Sequence, residues 1–255
     1  MIMDAAPVSR FAGRRILITG GGSGIGRAIA AACAREGARV ALVGRTRAKL
    51  DEVAHAIGGA HIEVADVTDE AQVERAVASA TAALGGLDGV VNSAGFATMA
   101  SIEKTTLTAW QALLDVHMTA TFLVCRASVA ALRREKSAAI VNIASVAGLL
   151  PGISSAAYAA AKAGQIVFSK ALAVELAPTV RVNALVVGPT ETPLTAPNFA
   201  AMHESGGFER FIELFPIGRV ATPEEIAGVA AFLLSDQAAF VTGAAWTVDG
   251  GRSLH

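Results

Sequence analysis

The chain has 255 residues, a hydrophobic fraction of 53% and a formal net charge of −1 at pH 7, enough length for one large α/β domain or two modest ones with a well-buried core. Neither a basic stripe nor a long run of like charge is present, which excludes nucleic acid and an anionic membrane surface as expected partners. Only Cys33 and Cys125 occur, each in an alanine-rich helical context, so a disulfide framework and a metal site are excluded too and buried thiols are expected.

Residues 1–10 hold no apolar stretch long enough for a secretory signal, so the cytoplasm is the expected compartment. Beyond them, short β-branched runs alternate with longer alanine-rich amphipathic ones, without a fixed repeat. The apolar runs predict strands at 15–19, 39–43, 61–64, 89–92, 139–143, 180–186 and 245–248. Their near-continuous apolar character suits a parallel sheet with helices on both faces. The expected fold class is α/β, one doubly wound domain over 1–255, because no linker divides the chain.

The first strand runs into Thr19-Gly20-Gly21-Gly22-Ser23-Gly24-Ile25-Gly26, and a helical pattern follows. Glycine lets the backbone turn tightly and approach a pyrophosphate, while the helix N-terminus offers unpaired amides and a positive dipole end. Gly20, Gly22, Ser23, Gly24, Ile25 and Gly26 are therefore candidate cofactor contacts. After the second strand comes Gly44-Arg45-Thr46-Arg47, with no carboxylate to hold ribose hydroxyls or repel a 2′-phosphate. Arg45 can make a charge-assisted contact to that phosphate, which favours NADP over NAD; otherwise Arg45 and Arg47 simply open the next helix in solvent. At the third strand end, Asp66 and Val67 can meet an adenine, or Asp66 can cap the helix beginning near Asp69. Asn92-Ser93-Ala94-Gly95 closes the fourth strand with side chains small enough for a cofactor to lie across it.

Residues 137–161 carry no charge and match the roughly 20 residues of a membrane span. Asn142, Ser145, Ser154 and Ser155, with Gly148, Pro151 and Gly152 between, instead describe a strand, a turn and a helix start. Tyr158 and Lys162 are four apart in the helical run 155–175 and share its face. Ser145, thirteen residues before the tyrosine, ends the preceding strand, so a hydroxyl, a phenol and an ammonium can converge on one carbonyl. The stretch 188–207 is irregular, and 188–215 is read as a lid or binding loop. Phe199, Met202, Phe208, Phe211 and Phe215 either line an apolar pocket or pack beneath that lid.

Taken together, TGGGSGIG at 19–26, NSAG at 92–95, YAAAK at 158–162, Val182-Asn183-Ala184, Gly188 with Thr192, and VDGG at 248–251 resemble the short-chain dehydrogenase/reductase family over nearly the whole chain. The resemblance implies a Rossmann-like fold and transfer of hydride between NADP or NAD and a secondary alcohol or ketone. It implies Tyr158 as general acid and base, Lys162 as the cation that acidifies the phenol and binds the nicotinamide ribose, and Ser145 as a hydrogen-bond donor to the substrate oxygen. By the same resemblance Asn92, Ala94 and Gly95 line the cofactor site, and Val187, Gly188, Thr190 and Thr192 approach the carboxamide. A homotetramer is also implied, and the small residues Ala156, Ala160 and Gly164 offer a flat stripe to another helix, inside or outside the chain.

Two positions depart from the family. Asparagine is usual midway along the long helical run 107–134, where it helps hold a water in the proton relay, and His117 stands there. The histidine either joins that relay or is a core side chain bonded to a backbone carbonyl. If the change has switched off the chemistry, the chain is a nucleotide-binding sensor or assembly protein. Val187 replaces a common proline, with a small change in loop stiffness expected. His55, His61, His203 and His255 are read as surface or turn residues.

Overall fold

The computed structural model describes residues 9–150 and 154–254. Pro151, Gly152 and His255, singled out above, lie outside them, as do most of residues 1–10. Seven parallel strands form one sheet in the order β3-β2-β1-β4-β5-β6-β7. They are β1 Arg15–Thr19, β2 Arg39–Gly44, β3 His61–Val64, β4 Gly89–Asn92, β5 Ala138–Ser145, β6 Val180–Val187 and β7 Ala245–Val248. Four of the seven match the expected spans, and the other three run on by one to three residues. The extension of β5 matters most, because Ser145 still pairs in register with Val187.

Helices cover both faces, as near-continuous apolar strands require. On one side α1 Gly24–Arg35, α2 Arg47–Ala56 and α9 Pro223–Leu234 pack over Ile16, Ile18, Leu42 and Val141. On the other, α3 Glu70–Leu84, α5 Ala120–Leu132 and α6 Ala156–Leu176 pack over Leu17, Val90, Ile140 and Val182. Strand order reverses between β1 and β4, and in such a sheet ligands bind in the crevice beyond the strand C-termini at that switch point. Thr19 and Asn92 face each other across it.

The expected long helix 107–134 is two: α4 Leu107–Leu114 and α5, joined by a π-helical turn, Asp115–Thr119. The apolar pattern runs through unbroken, so periodicity alone does not reveal the wider turn. The run Leu107–Leu132 has the length and apolarity of a membrane span, yet here it packs against α3 and α6 as a core element. The stretch 188–215 is also more ordered than a loop, because α7 Ala196–Glu204 and α8 Phe208–Ile212 form within it. Proline in the first turn suits the start of α7, and Gly206, at φ +66°, allows the reversal before α8.

Candidate active site

Ser155 caps α6, its hydroxyl accepting from the Tyr158 amide at 3.3 Å. That fixes the helix start, so Tyr158 and Lys162 project from successive turns toward the end of β5. Ser145, Tyr158, Lys162 and His117 all border one cavity of about 500 Å³. The glycine turn at Gly20, Ser23, Gly24 and Ile25 borders the same cavity, and Ala94, Gly95, Gly188, Thr190 and Thr192 also line it.

The glycine turn is shaped to admit a ligand backbone-first. A Cβ on Gly26 would stand 2.4 Å from the Gly20 carbonyl oxygen, and one on Gly20 would stand 2.8 Å from the Ala94 nitrogen. Any side chain at either position would force β1, α1 and the end of β4 apart. Ser23 sits at the N-cap of α1 without making a side-chain cap bond, so the first amides of the helix have no capping side chain before the cavity. Thr19 turns its hydroxyl to the Ser93 amide at 3.2 Å, holding the ends of β1 and β4 together. The donor set and the crowding fit a dinucleotide pyrophosphate.

Lys162 is buried, and its Nζ donates to the Ile143 carbonyl at 2.7 Å and to Gln165 Oε1 at 2.9 Å. Burial pulls its pKa down to about 7. Tyr158 moves the other way: burial pushes the phenol up to about 12, with a hydrogen bond from Ser145 opposing the rise. The ammonium is held by Ile143 and Gln165, 5.8 Å from the ring centroid. At neutral pH the phenol carries its proton.

His117 lies in the π-helical turn, 2% exposed, with its Nε2 2.7 Å from the Phe96 carbonyl. Its ring meets Tyr158 edge-on at 5.2 Å, and Nδ1 has no hydrogen-bond partner among the described residues. Burial first, then the Lys162 charge, bring its pKa down to about 3, so the imidazole is neutral. The imidazole is thus a buried side chain held to a backbone carbonyl, with its ring against the phenol. Gly95 makes room for it, since a Cβ there would stand 2.3 Å from the imidazole.

Several expected contacts lie elsewhere. Gly22 packs over Lys49 and Gly26 under Gly20. Asn92 turns into the sheet, donating to Asn142 Oδ1 at 2.8 Å, because the buried Asn142 needs a partner. Val67 is a core residue. Asp66 does not cap a helix: it accepts from the Thr68 amide at 2.9 Å, and Asp69 caps α3. Those Thr68 bonds, with Arg45 nearby, hold the Asp66 carboxyl below its ordinary range. Arg45 is exposed at the end of β2, while Arg47 pairs with Asp51 along α2.

The aromatic residues of 188–215 divide between the two expected fates. Phe199, Met202 and Phe211 line the cavity, Phe208 stacks on His203, and Phe215 is buried against Phe211. His55 is exposed as expected, while His61 lies in β3 and pairs with Glu63. Gly188 approaches the closing turn so tightly that a Cβ would stand 2.7 Å from the Asp249 Cα. Asp249 in turn accepts from the Gly251 and Ser253 amides. Gly164 faces Met118 within the chain, whereas Ala156 and Ala160 are exposed.

Sequence reasoning missed Gln165, Thr121 and the cavity residues Met99, Asn198, Leu214 and Arg252. A signal for Gln165 was present: Lys162, Gln165 and Ser169 are polar at helical spacing on the buried face of α6. Met99, Asn198 and Arg252 carry no such pattern.

A family model described as enoyl-(acyl carrier protein) reductase matches residues 20–253. 2-(S)-hydroxypropyl-CoM dehydrogenase 3 from Xanthobacter autotrophicus is 41% identical over 244 residues, covering 93% of this chain and 96% of that protein. Inactive 2-(S)-hydroxypropyl-CoM dehydrogenase 2 from the same organism is 41% identical over 228 residues, covering 88% and 99%. The crystal structure of levodione reductase superposes with a TM-score of 0.91 at 34% identity, covering 96% of this chain and 99% of that one.

Proposed function

The chain belongs to the short-chain dehydrogenase/reductase family, and from that premise we propose that it interconverts an apolar secondary alcohol and its ketone with NADP(H) as preferred cofactor. The observation that carries the reading is the convergence of Ser145, Tyr158 and Lys162 on one cavity that the glycine turn also lines. Gly20, Ser23, Gly24 and Ile25 would hold the pyrophosphate, and Ala94, Gly188, Thr190 and Thr192 the nicotinamide end. Held there, the nicotinamide would supply hydride chemistry at the substrate carbon.

The chain's own task is to orient the carbonyl and manage one proton. In reduction, Tyr158 Oη–H donates to the substrate oxygen as charge develops on it, and the Ser145 hydroxyl stabilises that charge. In oxidation the phenolate takes the hydroxyl proton back. Lys162 has three donors; two are held by Ile143 and Gln165, leaving one for the ribose side of the cavity. A phenol protonated at neutral pH supports reduction there and oxidation at higher pH. Met99, Leu194, Phe199, Met202, Phe211 and Leu214 support an apolar substrate.

Arg45 supports NADP: it is exposed at the end of β2, with the Asp66 carboxylate nearby, where its guanidinium could meet a 2′-phosphate. The buried free thiols Cys33 and Cys125, whose pKa values burial raises to about 12, suit a reducing cytoplasm. Exposed Val167 and Val174 on α6, and Phe240 with Trp246 near β7, support a homotetramer built on two apolar faces.

Ketone-panel assays at the reduced-nicotinamide absorbance, run with NADPH and NADH, test the reading. Turnover favouring NADPH and apolar ketones is the expected result. His117 against Tyr158 and a 41% identical relative named inactive favour a second reading, a cofactor-binding protein without turnover. Tight cofactor binding with no turnover across the panel would establish it instead.

A further inference from the structure

Two buried polar side chains lie behind the cavity lining, Gln165 at 2% and Thr121 at 3% exposure. Together they form one chain of hydrogen bonds. Lys162 Nζ donates to Gln165 Oε1 at 2.9 Å, Gln165 Nε2 donates to Thr121 Oγ1 at 2.9 Å, and Thr121 Oγ1 donates to the His117 carbonyl at 2.7 Å. Donor and acceptor bookkeeping permits only this direction. An ammonium has no acceptor, so the amide must turn its oxygen to Lys162 and its nitrogen to Thr121. The hydroxyl then has its proton left for the carbonyl, four residues back along the helix.

We propose that Gln165 is a positioning residue, clamping the Lys162 ammonium to the π-helical turn through Thr121. The inference rests on the proposed role of Lys162 as the cation serving the reaction. With Ile143 as the second acceptor, the clamp holds two N–H groups and so sets the direction of the third. Removing it leaves a buried charge short of a partner, and the ammonium yields its proton more readily. The titratable groups facing Lys162 are Tyr158 on its own helix and His117 on the π-helical turn. The end of β5 presents the Ile143 carbonyl and the Ser145 hydroxyl, and the turn after β5 presents the Gly148 backbone against the helix. Among the described residues no carboxylate acts on Lys162, and Gln165 is the side chain that accepts from its ammonium.

The test reads Lys162 directly and does not depend on turnover. The chain has five lysines, so the ε-carbon of Lys162 in ¹³C-lysine-labelled protein can be assigned by its loss in Lys162→Met and titrated by NMR. Gln165→Met is expected to lower the Lys162 titration midpoint by about one pH unit, the worth of one hydrogen bond to a charged group. Thr121→Val is expected to lower it by less, and Gln165→Glu to raise it. An unchanged midpoint in all three would overturn the clamp and leave Gln165 a packing residue. Where Gln165→Met fails to fold, the other two variants decide. Absence of turnover in the wild-type protein would instead count against the proposed function, leaving the NMR result to stand by itself.

Discussion

On one wall of the cavity the backbone does the positioning, and on the other side-chain rings do. The glycine turn is braced by β1, β4 and α1, which has six buried residues, and it leaves no space for even one methyl at Gly20 or Gly26. Facing it, α7 and α8 have no fully buried residue. They cohere through Phe199, Phe208, Phe211 and Phe215, whose ring centroids lie between 5.1 and 6.3 Å apart. The first wall is fixed by sterics and forms one shape, while the second has fewer buried contacts and belongs to the class of element that opens at low cost. A cofactor common to many reactions suits the first arrangement, and a substrate that differs among relatives suits the second.

Four changes would break or sharpen that contrast. Between the walls, Tyr158→Phe removes the proton donor while keeping the ring against His117, so kcat is expected to fall by about 10²–10⁴-fold with cofactor affinity retained, read by steady-state kinetics and fluorescence titration. On the rigid wall, Gly26→Ala is expected to lower stability by about 1–3 kcal/mol, the usual cost of overpacking, and to weaken cofactor binding, both visible in thermal melts with and without NADPH. Phe211→Ala on the ring-built wall is expected to raise the ketone KM by about tenfold, a loss of about 1.4 kcal/mol and within the worth of one large apolar side chain against the substrate, while leaving the melt of the cofactor complex close to wild type. Equal effects of the two substitutions on cofactor binding would erase the distinction between the walls.

The fourth change concerns acid stability. His117 sits at about 3 in the fold against an ordinary 6.5, so between those values the unfolded chain binds a proton that the native one does not. Stability is therefore expected to fall as pH drops below 6.5 toward 3. His117→Asn should flatten that slope, and melting temperatures measured from pH 7 to 4 in both proteins provide the check.

The legible parts of the molecule share a cause. Strand spans, the glycine turn and the Tyr158–Lys162 spacing are local patterns with periods of two or 3.6 residues, and each expresses its own backbone geometry. Ser145 was legible for the same reason, as the polar end of an apolar strand. The Asn92–Asn142 bond was not legible because the two residues lie fifty positions apart on neighbouring strands, and local pattern does not reveal such a pairing. The π-helical turn at His117 was invisible because local pattern does not fix whether a single turn closes on four residues or five.

The sequence by itself determined that a parallel sheet would form, that its first turn would have to be glycine, and that a phenol and an amine would share a helix face. Only the tertiary structure decided their protonation: burial, not spacing, puts Tyr158 near 12 and Lys162 near 7. It alone decided that Gln165 and Ile143 hold the ammonium. Charge state depends on how much water a group loses and which dipoles replace it, and those come from residues distant along the chain.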